Sequence, residues 1–476
     1  MPSRPLLLSL AALALPAIAA PLLAQVGGVT ARAADPTAPV VTTSSPATDA
    51  FVSGVQDAAY VFGARAAQRF GQALALDSTF GLARVFHAAF APQLDQAQRD
   101  SAAARGVADA ERGSASELVL ATAMRELVAN HPEAAQPLFD SLARMHPDNA
   151  LYAMWSATDW AGTRPPAAVA EAFREVTQRF PSYGAPYNTL AYSLVQAGDT
   201  AGAIAAAARQ VELAQMHPNP HDSYAEILQF AGRLDEAATH YANATAREPS
   251  YTEGYVGVAE VRQLQGRGDD ARTALNEAIR NALSLQDSLR YMRYLAQSEA
   301  ADGRDEQAAA RLAEVARLAE SRGVAATAAG VHRDLALLEA LDGDERGVAQ
   351  HLAEARADAP DTPAQATQQA DVAALAYFVA GDADSLRAAA AGRDSVHLVQ
   401  TMVLIGGGRG EDALTSLARA DTTQPIAQEL SAEAHALLGH ADIARASRAR
   451  LLARRDALYF NAPDLRNVVA LRRAKM

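Results

Sequence analysis

The feature that most constrains this chain is a gapless internal repeat near its centre. The three aligned segments are 192–203, 226–237 and 260–271. Each carries a glycine at its seventh position, and the three glycines recur at intervals of 34 residues. A repeat of this length is a helix hairpin that cannot bury its apolar face alone, so stacked neighbours have to supply the rest of the core. The sequence therefore predicts an all-α fold of stacked hairpins.

The middle repeat indicates where its two helices begin and end. The pattern predicts a first helix over 222–230 that stops at Gly232, because glycine adopts the left-handed cap conformation at little cost. A second helix is predicted over 234–247. Pro249 ends the repeat, since proline cannot continue a helix.

Within the second helix of this repeat, Ala237, Tyr241 and Ala244 fall on one face because they are spaced four and three residues apart. Glycine, alanine, an aromatic residue, alanine and proline at these offsets resemble the tetratricopeptide family. The resemblance implies a right-handed superhelical solenoid of antiparallel helix hairpins, in which the first helix of each hairpin contributes to a partner-binding groove.

The same pattern extends in both directions along the chain. Five later glycines are each followed, five residues on, by a small or apolar residue: Gly303, Gly343, Gly381, Gly408 and Gly439. We therefore predict a solenoid over residues 51–460, clearest over 183–280, with no internal domain boundary. The pattern leaves the repeat boundaries open near 90–130 and 280–290.

The first residues of the chain have the pattern of a secretory signal peptide. Arg4 precedes an apolar run over 6–15, and small residues follow up to Ala24, where we predict cleavage. Residues 1–24 are thus interpreted as a signal peptide for a periplasmic or secreted protein, with an uncleaved membrane anchor as the alternative. The Gly-, Ser-, Thr- and Pro-rich stretch over 25–50 is interpreted as a flexible linker.

Composition excludes several classes of function. The net charge of −13 argues against general nucleic-acid binding, which depends on Lys and Arg neutralising phosphates. The chain has no cysteine, which excludes disulfides and thiolate chemistry. Its only lysine is Lys475, so no lysine is available for a phosphate-binding loop.

Short motifs in the chain do not form a recognisable active site. Residues 332–335 spell the His-Arg-Asp-Leu core of a kinase catalytic loop, but no other kinase motif accompanies it. Gly406–Gly410 lacks the Lys-Ser/Thr of a phosphate cradle, and His217 with His221 flanks two prolines. We interpret these as turns and helix faces, and predict no catalytic residue, cofactor or metal ligand.

The resemblance to the tetratricopeptide family implies which residues line a partner groove. They are Asn188, Tyr192, Asp222, Glu226, Gln229, Glu260 and Gln263. This set is acidic and rich in amides, which favours a protein or peptide partner with Arg or Lys, or an extended backbone read by the amides. The alternative for these positions is ordinary solvated helix faces. The predicted function is an exported, non-enzymatic protein-interaction scaffold.

Two other classes of function stay open at this stage. One is a small-molecule or cell-wall-fragment binder, or an enzyme, with a site near Trp155 and Trp160, which we place in one first helix. The other is a sensor for a separate catalytic chain. The basic C-terminal tail, residues 461–476, is interpreted as part of a polar cap on the last repeat, in preference to docking on an anionic membrane.

Overall fold

The structure, a computed structural model, describes residues 36–41, 45–91, 93–359, 362–393, 396–453 and 465–475. Its regular secondary structure in these ranges is entirely α-helical. The described helices are α1 Pro46–Ala59, α2 Gly63–Leu76, α3 Gly81–Phe90, α4 Gln96–Ala110, α5 Ala115–Val128, α6 Pro132–Met145, α7 Ala150–Ala157, α8 Pro166–Arg179, α9 Pro186–Gln196, α10 Thr200–Leu213, α11 Pro218–Phe230, α12 Leu234–Arg247, α13 Glu253–Leu264, α14 Gly268–Asn281, α15 Leu285–Ala301, α16 Asp305–Ser321, α17 Ala325–Asp342, α18 Glu345–Asp358, α19 Pro363–Ala380, α20 Ala383–Ala390, α21 His397–Gly406, α22 Gly410–Leu417, α23 Pro425–Leu437, α24 Ala441–Leu452 and α25 Arg466–Lys475.

Every glycine predicted to end a first helix has a positive φ. The set is Gly198, Gly232, Gly266, Gly303, Gly343, Gly381, Gly408 and Gly439, with φ between 71° and 87°. At Gly198 and Gly266, the same position in the neighbouring repeats, no atom lies within 4 Å of the place a Cβ would take, so backbone conformation alone selects glycine there. The turn between α5 and α6 uses Asn130 instead, at φ 64°. The predicted hairpin turns are therefore confirmed.

The seam of the middle repeat depends on small residues around one aromatic ring. Ala237, Tyr241 and Ala244 on α12 are completely buried. Gly257 on α13 faces the Tyr241 ring, and a Cβ added there would lie 2.2 Å from Cε1 of that ring. The helices approach this closely only because Gly257 has no side chain. The predicted role of Tyr241 in filling the gap to the next hairpin is confirmed.

Residue contacts group the described part of the chain into two compact units, whereas the repeat pattern predicted one uninterrupted stack. The first unit comprises the described residues of Met1–Ala231 with Ala246–Glu248, and the second comprises the described residues of Gly232–Thr245 with Pro249–Met476. The first contains five packed hairpins, from α1/α2 to α9/α10. The second contains six, from α13/α14 to α23/α24, followed by α25. Each unit has its own apolar core.

The folded part of the chain begins earlier than predicted. Helix α1 starts at Pro46, and the described segment before it packs against the start of α7. The side chain of Asn149 donates a hydrogen bond to the carbonyl of Ala38 at 2.8 Å, and the Val40 N–H donates to the Tyr152 hydroxyl at 2.9 Å. These backbone groups are held by partners more than a hundred residues away, so this part of the predicted linker is ordered.

The C-terminal segment is a packed helix and not a basic tail. Helix α25 contacts α15, α17, α23 and α24 within the second unit. Val468, Val469 and Ala470 are completely buried and belong to that unit's core. Arginines interrupt the apolar residues of this helix, and for that reason its composition alone suggested a solvated end.

In the second unit, the first helices of successive hairpins pack on one another in a row. Contacts join α15 to α17, α17 to α19, α19 to α21 and α21 to α23. We call the surface formed by these helices the first-helix face. Helix α25 lies against it through α15, α17 and α23.

Substitution at the middle hairpin turn tests the assigned repeat phase. Gly232→Val should lower the free energy of unfolding by about 1–2 kcal/mol, because a β-branched residue is strained at positive φ. Gly232→Asn is the matched control and should be close to wild type, since asparagine tolerates this conformation. Urea unfolding followed by circular dichroism measures both. Equal midpoints for the valine variant and wild type would contradict the assignment.

Candidate functional site

The structure places the seven predicted groove residues on three successive first helices. Asn188 and Tyr192 lie on α9, and Asp222, Glu226 and Gln229 lie on α11. These five belong to the first unit. The remaining two, on α13 in the second unit, are described below.

Most of these residues are buried, so their polar groups are largely removed from open solvent. Asn188, Asp222, Gln229, Glu260 and Gln263 are only 2–6% exposed. Tyr192 and Glu226 are half-buried. Polar groups removed from water in this way have to be satisfied by other polar groups. The sequence therefore identified polar positions on the first helices but not their burial.

In the first unit the structure brings Tyr192 together with the carboxylates of α11. The Tyr192 hydroxyl donates a hydrogen bond to Glu226, from the helix one repeat later. Burial, and then the charges of Glu226 and Asp222, raise the pKa of Tyr192 well above its usual value. Tyr192 is consequently a protonated donor at any physiological pH. The buried Oδ1 of Asn188 accepts no hydrogen bond from the described part of the chain.

In the second unit Gln263 joins two first helices. Its side-chain oxygen accepts a hydrogen bond from the Ser298 hydroxyl at 2.7 Å, and its amide nitrogen donates to Asp302 at 2.9 Å. Asp302 also pairs with Arg272 at 2.6 Å. Glu260, on the same helix, is 2% exposed. Gln263 therefore fixes α13 against α15 through a polar network.

The two tryptophans pack inside the first unit. Trp160 lies after α7 and not in the same helix as Trp155, contrary to the prediction. Trp155 packs 5.6 Å from Phe139 between ring centroids, and Trp160 stacks on the same ring at 5.0 Å. The indole N–H of Trp160 donates to the carbonyl of Trp155 at 2.9 Å. The indole rings of both tryptophans pack against Phe139, and the indole N–H of Trp160 is already hydrogen-bonded within the chain. This geometry gives no support to a ligand-binding surface at the two tryptophans.

The His-Arg-Asp-Leu motif lies in the middle of α17, and its aspartate has a structural role. Asp334 is completely buried and pairs with Arg293 of α15 at 2.7 Å. Its other oxygen accepts the Leu465 N–H at 3.0 Å, immediately before α25 begins. A carboxylate at a helix N-terminus is stabilised by unpaired N–H groups and the helix dipole. Asp334 therefore anchors the start of α25 to the first-helix face.

The far end of α25 is held by two arginines. Arg472 pairs with Asp305 at 2.6 Å, and Arg473 pairs with Glu433 of α23. The Arg473 guanidinium also lies 5.3 Å from the ring centroid of Phe378 on α19. All four charged side chains are 13–24% exposed, so water screens these pairs less than it screens exposed ones. The chain's own basic helix is thus bound by apolar burial and by matched charges.

The glycine-rich run takes the structural role predicted for it, whereas His217 caps the start of α11 and His221 lies inside that helix and not in a loop. Gly406 ends α21 and Gly410 begins α22, with Gly408 at positive φ between them, so the glycine-rich run is an inter-helix turn. His217 stacks on Tyr60 with ring centroids 4.1 Å apart.

The described helices include none with both the length and the apolar character needed to cross a bilayer. The predicted signal peptide, residues 1–24, and its alternative as an anchor lie outside the described residues.

The buried carboxylate that anchors α25 can be tested directly. Asp334→Ala should lower the free energy of unfolding of the second unit by about 3–5 kcal/mol, because it leaves Arg293 buried without this partner. Asp384→Ala is the matched control: Asp384 pairs with Arg387 in the same unit, but the aspartate is 92% exposed, and we expect little change. Chemical unfolding measures both variants. Equal effects would mean that the Asp334 pair is no stronger than a surface pair.

No protein-family model and no curated protein sequence matches this chain. Among solved structures, it is similar to MamA, with 14% identity over 33% of this chain and 93% of that chain, and a TM-score of 0.30. It is similar to YrrB, described as a TPR protein with an unusual peptide-binding site, with 16% identity over 40% of this chain and 97% of that chain, and a TM-score of 0.29.

A third similar structure is a tetratricopeptide repeat protein from Parabacteroides merdae, with 11% identity over 56% of this chain and 91% of that chain, and a TM-score of 0.34. Likenesses this distant carry no functional argument. The fold assignment rests on the hairpins of the chain itself, with their 34-residue recurrence and their positive-φ turns. By these features the chain is an all-α helical repeat solenoid whose hairpins resemble those of tetratricopeptide repeats.

Proposed function

We propose that this chain is an exported, non-enzymatic scaffold that binds a segment of a partner protein on the first helices of its hairpins. The observation that carries the proposal is the docking of α25 on the first-helix face of the second unit. A surface that holds one amphipathic basic helix has the chemistry to hold another of the same kind.

The contacts of α25 indicate what such a partner segment contains. Completely burying Val468 and Val469 supplies on the order of 1.5–3 kcal/mol each. The arginine pairs with Asp305 and Glu433 add charge complementarity and fix the register of the helix. The expected ligand is therefore a short helical segment with valine or leucine on one side and arginine or lysine near its C-terminus.

A second element of the proposal concerns the first unit. There the cluster of Tyr192, Asp222 and Glu226, with the unfilled acceptor of Asn188, supplies a hydroxyl, two carboxylates and an amide on adjacent first helices. These groups suit the backbone and basic side chains of an extended peptide. Because the cluster is buried, a peptide reaches it only if the side chains packed over it move aside.

A fluorophore-labelled peptide with the sequence of residues 465–475 tests whether the first-helix face binds such a segment. Arg472→Glu with Arg473→Glu in the full chain should weaken the docking of α25, because both pairs become repulsive. We expect this double variant to bind the peptide more tightly than wild type does, measured by fluorescence anisotropy. The affinity should fall as salt is added, since part of it comes from ion pairs.

Matched controls separate displacement from a general charge effect. Arg445→Glu changes an exposed arginine whose ion pair, among the described residues, is with Asp442 on the same helix, so it should leave peptide binding as in wild type. A peptide with glutamate in place of the two arginines should not bind. Absence of binding to the double variant, with its helix content intact, would rule out this face as an interaction surface.

Export is tested by the mass of the mature protein. If residues 1–24 are removed as a signal peptide, the intact mass of the chain recovered from the exported fraction corresponds to a first residue of Gln25. Recovery in the membrane fraction with the N-terminus intact would support the anchor instead. Recovery in the cytoplasm would contradict export.

Crosslinked capture from the same exported fraction then identifies partners. Partners that use the first-helix face should be enriched with the Arg472→Glu, Arg473→Glu variant and unchanged with Arg445→Glu.

A further inference from the structure

A cluster of two histidines and three carboxylates lies on three consecutive helices of the second unit. His332 is on α17, His351, Glu354 and Asp358 are on α18, and Glu320 is near the end of α16. One oxygen of Glu354, Oε2, lies 2.8 Å from Nδ1 of His351 and 3.0 Å from Nδ1 of His332. The three ligand atoms of His332, His351 and Glu354 all lie within 4.8 Å of one another.

The ring of His332 is buried between these carboxylates. The residue is 8% exposed, and its Nδ1 is buried without a hydrogen bond of normal alignment, although Oε2 of Glu354 is only 3.0 Å away. Its other nitrogen, Nε2, lies 3.3 Å from Glu320 and 3.5 Å from Asp358. A buried imidazole nitrogen without an aligned partner is costly unless something else occupies its lone pair.

We propose that His332, His351 and Glu354 bind a divalent transition-metal cation of the Zn²⁺ class. Ligand atoms about 2.1 Å from a tetrahedral metal lie roughly 3.4 Å from one another. The two separations to Glu354, 2.8 Å from His351 and 3.0 Å from His332, are shorter than that value by about half an ångström, so the side chains need to move apart only slightly to admit the ion. Nδ1 of each histidine and one carboxylate oxygen then supply three ligands, and a fourth position stays open to water or to a partner group.

The surrounding groups match the outer shell of such a site. Metal-bound histidines usually donate their second N–H to a carboxylate, which fixes the tautomer and the ring orientation. Nε2 of His332 faces Glu320 and Asp358 in that arrangement. The amide nitrogen of Gln350 donates a hydrogen bond to Oε1 of Glu354 at 3.0 Å, which orients the carboxylate and leaves its Oε2 for the metal.

The donor set selects the kind of metal. Two imidazole nitrogens with one carboxylate suit Zn²⁺ and its first-row neighbours, whereas Ca²⁺ and Mg²⁺ prefer oxygen ligands only. The three carboxylates give the cluster a formal charge of −3 while the histidines are neutral, so a dication reduces their mutual repulsion. The alternative is a metal-free network in which the histidines are protonated and paired with Glu354.

Equilibrium dialysis of the full chain against ZnCl₂ distinguishes these two states. The protein is purified without a polyhistidine tag. We expect one Zn²⁺ per chain, and Co²⁺ in its place should give the visible absorption of a four-coordinate nitrogen–oxygen site. Glu354→Gln and His351→Ala should each weaken the Zn²⁺ affinity by more than about 100-fold. Glu320→Gln, in the outer shell, should weaken it by about 10-fold.

The matched control is another histidine pair of the same unit. Nδ1 of His435 lies 3.4 Å from Nδ1 of His440, and His440→Ala should leave Zn²⁺ binding unchanged. Loss of binding in that variant, with retention in Glu354→Gln, would place the metal elsewhere and overturn the proposal. Absence of stoichiometric binding by wild type, with its helix content intact, would establish the metal-free network. Glu354→Gln preserves side-chain volume, so the result does not depend on the folding of the histidine variant.

Discussion

Two helices of about fourteen residues joined by a tight turn cannot bury both apolar faces against each other, and this constraint governs the whole chain. Each hairpin has to accept its neighbour at short range, which requires small residues at the seam. Gly257 against the ring of Tyr241, and the buried alanines 237 and 244, meet that requirement. The left-handed glycine turns set the direction in which each second helix returns. The remaining features of the fold elaborate this one arrangement.

Features encoded within a single hairpin were predictable, and features that join distant segments were not. Turn glycines such as Gly408 and Gly439 lie within a few residues of the helices they end, so even irregular repeats could be assigned. By contrast, Val40 is bonded to Tyr152, and Leu465 to Asp334, across more than a hundred residues. No local pattern specifies such pairs. The grouping into two units likewise depends on contacts between helices, which the spacing of the repeats along the sequence does not predict.

The candidate site was predictable only in part, for the same reason. The resemblance to tetratricopeptide proteins identified first-helix positions, including Tyr192 and Gln263, that do carry polar contacts between repeats. It could not report that most of them are buried. For the His-Arg-Asp-Leu motif, the sequence suggested a shared role that its residues do not have. Its aspartate pairs with Arg293 of α15 and accepts the N–H of Leu465 just before α25, whereas its histidine belongs to a separate cluster. Adjacency in sequence therefore implied a common role that the structure does not support.

Under the proposed function, the docking of α25 also limits which partners are able to use the same face. Because α25 is covalently joined to the face it covers, its effective concentration there is on the order of millimolar. A free segment that makes only the same contacts, with an intrinsic dissociation constant of about 1 µM, is therefore weakened by roughly a thousandfold. A successful ligand has to exceed the built-in helix in contact area or engage a second surface at once. The docked helix α25 thus sets the minimum affinity that a ligand of this face needs in order to displace it.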